Sequence, residues 1–126
     1  LYDWFKNTKS KFQDEIFLKI YIDYPRPKLI ERIASRSEQM LKDGAISEVK
    51  RFLKLKIKRD NSSNKVIGIA EIKEHLENKL DLKEVHEKIT IKTRQYAKRQ
   101  STWARSQMSS WNKINSKDLE KFLKKI

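Results

Sequence analysis

The sequence has no cysteine, two glycines, two prolines and no long apolar run. Without cysteine there can be neither a disulfide framework nor a thiolate metal site, which fits a reducing compartment. With Gly44 and Gly68 as the only glycines, no Walker A loop and no dinucleotide fingerprint can be written anywhere in the chain. No apolar stretch approaches the ~20 residues that span a bilayer, and the start carries no charged-then-apolar leader pattern. The first residue is Leu1 rather than Met. The expectation is a cytoplasmic chain, without membrane contact, that begins inside a longer protein. Acidic residues are missing from one further place: there is none between Thr90 and Asn115.

That segment does hold Lys92, Arg94, Lys98, Arg99, Arg105 and Lys113. With no carboxylate close in sequence to neutralise them, phosphate is their natural counter-charge. The whole chain carries 30 Lys+Arg against 17 Asp+Glu, a formal net charge of +13 over 126 residues. Ten basic and two acidic residues fall in 92–126, so the last part of the chain carries +8 of that total. Scattered lysines are ordinarily a solvated surface, and that suffices for most of those present. The arginines are different, because Arg94, Arg99 and Arg105 offer planar forks suited to phosphate and base edges.

The length suits one compact unit, or part of one. Residues 16–22 form a nearly continuous β-branched and aromatic run, as in a strand buried on both faces. Pro25 and Pro27 end it. A sheet partner is needed, and only residues 110–115 offer a second, weak strand pattern. That shortage is a sign of truncation. Apolar spacing predicts helices over about 27–43 and 45–56, separated by Gly44 as a left-handed stop. Residues 56–64 read as an exposed loop. Gly68 opens a shorter helix over about 67–78, and a terminal amphipathic helix is expected over about 116–125, starting near Ser116 or Asp118.

The longest helix is expected over about 81–109, with Asp81 as N-cap and Glu84 completing a capping box. On its wheel Leu82, Val85, Ile89, Tyr96 and Trp103 share one narrow sector, so both aromatics are expected in the core. Arg94, Lys98, Ser101 and Arg105 fall on the opposite side. Arg99 lies one turn before Trp103, which predicts a guanidinium resting near the indole. Trp111 is expected to anchor the second strand. His75 and His86 have no metal-ligand spacing around them, and Asp23 reads as a loop cap rather than a catalytic group. No metal site is expected in the chain.

The run Thr93-Arg94-Gln95-Tyr96-Ala97-Lys98-Arg99-Gln100-Ser101-Thr102-Trp103-Ala104-Arg105 resembles the C-terminal signature of the tRNA dimethylallyltransferases, or tRNA isopentenyltransferases. Arg32-Ile33, Arg36, Met40-Leu41 before Gly44, Glu48-Val49, Ile67-Gly68 and Trp111 follow in the family's order. The resemblance covers essentially residues 16–115. It implies a mainly α fragment with one or two strands, part of an α/β P-loop-type transferase whose N-terminal nucleotide-binding half, with the catalytic residues, is missing. Such enzymes move a dimethylallyl group from its diphosphate to N6 of adenine 37, beside the anticodon. Mg²⁺ is expected for the complete enzyme, not for this chain alone, and the enzyme is expected to be a monomer.

Carried onto this chain, the resemblance implies that Arg99, Gln100, Thr102, Trp103 and Arg105 grip the tRNA anticodon stem-loop, with Arg94, Lys98 and Ser101 beside them. Lys65, Val66, Ile67 and Gly68 form a second RNA contact. The chain departs from the family where Ile69 and Ala70 replace a Tyr and a basic residue. Arg36 matches a family arginine near the active-site channel, so it either touches diphosphate or makes a helix-packing ion pair. The rival reading is a stand-alone basic helical module that binds RNA or DNA without catalysis, and a third is a structural protein whose charge is merely compositional.

Overall fold

In the computed structural model, residues 7–8, 16–58 and 60–124 are described. They carry the elements β1 (Ile20–Asp23), α1 (Arg26–Lys42), α2 (Ala45–Lys54), α3 (Ile69–Leu76), α4 (Leu82–Gln107), β2 (Asn112–Asn115) and α5 (Leu119–Leu123), with short 3-10 turns before α3 and α5. Where length alone suggests one compact unit, contacts divide the chain into two: Tyr24–Ser109, and the segments on either side of it.

The unit from Tyr24 to Ser109 is helical, and local chemistry sets its boundaries. Pro27 lies in the first turn of α1, where a missing N–H costs nothing. The chain leaves α1 through Gly44 at φ +107° and enters α2 at once. The α2 helix stops at Lys54, earlier than expected, and Lys56 takes φ +48° just beyond it. Gly68 at φ +108° opens α3, and Asn78 at φ +58° closes the turn after it. The capping box that opens α4 is reciprocal. Asp81 Oδ1 accepts from the Glu84 N–H and Glu84 Oε2 accepts from the Asp81 N–H, each at 2.8 Å.

Ala45, Val49, Ile72, Val85 and Ile89 form the buried centre, with Met40, Leu53, Ile67 and Ile69 packed around it. Among the described residues Ile72 and Val85 are the largest wholly enclosed side chains, and each such burial contributes about 1.5–3 kcal/mol. The α1 and α4 helices meet through polar as well as apolar groups: the Ser37 and Thr90 hydroxyls lie 2.8 Å apart, and His86 Nε2 is 3.0 Å from the Ala34 carbonyl. The α3 helix runs antiparallel to α4, since Glu74 pairs with Lys88 at 3.1 Å and Glu71, one turn earlier, pairs with Lys92.

The second unit holds a two-stranded parallel sheet. Ile20 stands opposite Asn112 and Ile22 opposite Ile114, so the weak pattern at 110–115 does supply the partner of β1. Parallel strands need a long crossover, and the helical segment 24–111 provides it. The first strand corrects the expectation for 16–22. It starts only at Ile20; Ile16, Phe17 and Leu18 are exposed, and Ile22 is 47% exposed. Two strands cannot enclose both faces of either one, so an apolar run is not here a doubly buried strand. Ile114 is the buried residue of β2, while Trp111 precedes the strand and is half-buried. The expected terminal helix is broken into a 3-10 turn, Ser116–Asp118, and α5, because the Asn115 side chain accepts from the Lys117 N–H at 3.0 Å. Residue 125 of that expectation lies outside the described residues.

Candidate nucleic-acid interface

The C-terminal half of α4 carries Tyr96, Arg99 and Trp103 in a stripe that starts at Lys92, with the spacing i, i+4, i+7, i+11 of one helix face. Tyr96 is 49% exposed and Trp103 is 58% exposed, which overturns the expectation that both rings are core. The reason lies in the neighbouring helix. The α3 helix covers this face over Val85 and Ile89, but it begins at Ile69, and its Glu71 already pairs with Lys92. Beyond that pair the stripe continues without cover, a limit that a helical wheel does not record.

The ring near the Arg99 guanidinium is Tyr96, 5.7 Å from charge to centroid, and not Trp103 as the spacing suggests. Arg99 and Trp103 instead share an open groove of about 620 Å³ with Gln95, Lys98, Thr102, Ser106 and Gln107. Ser101 and Thr102 turn their hydroxyls back onto the Ala97 and Lys98 carbonyls, at 3.0 and 3.1 Å. Arg105 folds along its own helix, its Nε donating to the Ser101 carbonyl at 3.3 Å. Gln100 is exposed.

The expectation that nothing neutralises the basic run also needs correction. Glu71 pairs with Lys92, and Asp23 pairs with Lys113 at 3.0 Å, both carboxylates arriving from distant parts of the sequence. Arg94, Lys98, Arg99 and Arg105 have no carboxylate partner among the described residues, and all four are exposed. They form the cationic surface that remains available.

The second candidate contact splits into surface and support. Lys65 ends a 3-10 turn and is exposed with Val66, whereas Ile67 packs on the core and Gly68 is buried. Ile69 packs on the core too, and Ala70 is exposed. Sequence reasoning missed Glu71, which ties this loop down: its Oε2 accepts from the Gly68 N–H at 2.9 Å, while Oε1 accepts from Lys92. The signal was present in the spacing of Gly68 and Glu71, an N-cap position and its N3 acid. Burial acts most strongly on the Glu71 carboxyl and raises its pKa. The hydrogen bond from Lys92, those from backbone N–H groups and the Lys92 charge together bring it below the ordinary glutamate value.

Arg36 is exposed and forms no ion pair among the described residues. It lines a separate groove of about 590 Å³ with Arg32, Ser35, Gln39, Met40, Asp43, Ala45 and Glu48. No group of three or more His, Asp or Glu among the described residues is arranged to hold a metal ion. His75 and His86 each meet a backbone carbonyl instead. No helix in the described residues is long and apolar enough to cross a membrane.

Known proteins resemble this chain in sequence and in fold. A tRNA dimethylallyltransferase of Pelagibacter ubique (strain HTCC1062) is 56% identical over 126 residues, which is all of this chain and 40% of that protein. One from Agrobacterium fabrum (strain C58 / ATCC 33970) is 44% identical over 90 residues, covering 71% of this chain and 30% of that protein. The chain thus spans well under half the length of these relatives. The crystal structure of a full-length tRNA isopentenylpyrophosphate transferase from Bacillus halodurans matches with a TM-score of 0.69 and 32% identity, over 78% of this chain and 32% of that one. The family model described as IPP transferase matches residues 1–107, and the chain belongs to that family.

Proposed function

We propose that this chain is the C-terminal, tRNA-holding portion of a tRNA dimethylallyltransferase, an enzyme that transfers dimethylallyl from its diphosphate to N6 of adenine 37. The observation that carries this reading is the exposed, carboxylate-free set of Arg94, Lys98, Arg99 and Arg105 on one helix, alongside Tyr96 and Trp103. Cations fix RNA by its phosphates, and exposed aromatic and guanidinium planes accept unstacked bases. An N6 amine inside a stack cannot reach an electrophile, so holding the surrounding phosphates while the base turns out is a task such a surface suits. Lys65 and Val66 supply the second contact through their exposed side chains, and Ile67 and Gly68 through the backbone that carries them.

Arg36, with Arg32 in the same groove, offers guanidinium groups to the prenyl diphosphate. The transfer itself belongs to residues outside this chain, so the chain by itself binds without catalysing. Any Mg²⁺ that the reaction needs is assigned, in this reading, to the same residues outside the chain. The complete enzyme acts as a cytoplasmic monomer.

The test compares an anticodon stem-loop bearing adenines at 36, 37 and 38 with an unrelated hairpin of equal length, across a salt series. Tighter binding to the anticodon stem-loop is expected. Equal affinity for both returns the chain to the rival class, a basic module that binds nucleic acid without selecting it.

A further inference from the structure

Lys92 opens the stripe that continues as Tyr96, Arg99 and Trp103, yet its ammonium is committed to Glu71. That carboxylate is closely confined: the Glu71 side chain is 3% exposed against 52% for Lys92. Each of its oxygens has a different duty, one accepting from Lys92 on α4 and the other from the Gly68 N–H at the end of the 65–68 loop. A buried carboxylate is costly to desolvate and worth keeping only where its partners are fixed. It also places a negative charge beneath a surface that otherwise attracts phosphate. A glutamine could accept the Gly68 N–H without either penalty, so the charge answers to Lys92 and not to the loop alone.

We infer that Glu71 is a positioning residue that ties the 65–68 loop to α4 through Lys92, setting the spacing between the two RNA contacts. Lys92 is accordingly a strut and not a phosphate ligand. The inference rests on the RNA-binding reading above, and its consequences separate from that reading because one of them is measured without RNA. Position matters because two contacts reinforce one another only when their separation matches the ligand. Apart from this tie the loop is anchored at its end by Ile67 on the core and by the Ile69 N–H donating to the Val66 carbonyl at 3.2 Å, while the Val66 side chain is 58% exposed.

The sign of one substitution decides the matter. Glu71→Gln raises the net charge by one, so electrostatics alone predicts tighter binding of any RNA, with a steeper salt dependence. The positioning role predicts the reverse, a severalfold weaker affinity in spite of the added charge. In the full chain without RNA, amide exchange at Gly68 should quicken about tenfold to a hundredfold in Lys92→Met, the scale of a lost charge-assisted hydrogen bond. Lys92→Arg should restore both the slow exchange and the affinity, because a guanidinium still reaches the carboxylate. Circular dichroism checks that each variant is folded. Unaltered Gly68 exchange in Lys92→Met, or equal or tighter RNA binding by Glu71→Gln, overturns the inference. An unmodified chain that binds no stem-loop overturns the RNA reading instead, and the Gly68 exchange then still reports whether the tie exists.

Discussion

Trp103 is the residue whose meaning the structure changes most. A buried tryptophan would cost about 3–5 kcal/mol on truncation to alanine. At 58% exposure the ring has little core packing to lose, so Trp103→Ala should shift stability by no more than about 0.5 kcal/mol, as surface substitutions do. It should instead weaken stem-loop binding by about 1–3 kcal/mol, the contribution of a stacked base. Urea unfolding and a binding titration on the same variant read the two effects separately. A large loss of stability would put the ring back in the core. Gly68 makes the opposite kind of demand. A methyl group there would meet Ile89 Cδ1 at 3.6 Å and Met40 Cε at 3.9 Å, which is ordinary contact, so space is not the constraint. The φ of +108° is. Gly68→Ala should cost about 1–2 kcal/mol in urea unfolding through backbone strain alone, and an unchanged unfolding midpoint would show that the turn tolerates a side chain.

At the scale of the helix, α4 divides into a half that holds the fold and a half that faces outward. Its start was readable from residues 81 and 84 because a capping box is a local matter, decided within one turn. Its outward half was misread for a complementary reason: periodicity assigns residues to a face but does not say how far along that face a neighbour extends. The α3 cover ends near Lys92, and Tyr96 and Trp103 lie past it. Charge was legible in the same partial way. The absence of acid between Thr90 and Asn115 correctly singles out Arg94, Lys98, Arg99 and Arg105, but Lys92 and Lys113 find their carboxylates at Glu71 and Asp23, through folding. This division makes a prediction for the helix as a unit. Arg94→Ala combined with Lys98→Ala removes two exposed cations and no core contact. The fold should survive, while the slope of log affinity against log salt falls by about 1.4–1.8, at 0.7–0.9 per phosphate contact. An unchanged slope would mean that neither residue meets a phosphate.

For the molecule as a whole, the balance of charge sets how it responds to acid. With a formal charge of +13 at neutral pH, every carboxylate that protonates adds to self-repulsion. The exposed acids of the i, i+4 pairs, such as Glu38 beside Lys42, are screened by water and should matter little. Glu71 is the exception, since it is enclosed and its folded pKa lies below the ordinary glutamate value near 4.5. A carboxyl whose pKa is lower folded than unfolded binds protons more readily when the chain is unfolded. Its stabilising contribution is therefore complete above the unfolded value and is lost as pH falls through the folded one. The wild-type chain should lose stability across that acid window, and Glu71→Gln should lose less there because it has no proton to take up at this position. Urea unfolding of both proteins at pH 7 and at pH 3 makes the comparison. The stability gap between them should narrow at the lower pH as the wild-type carboxyl protonates, and a gap of constant size would mean that the Glu71 charge does not contribute to stability.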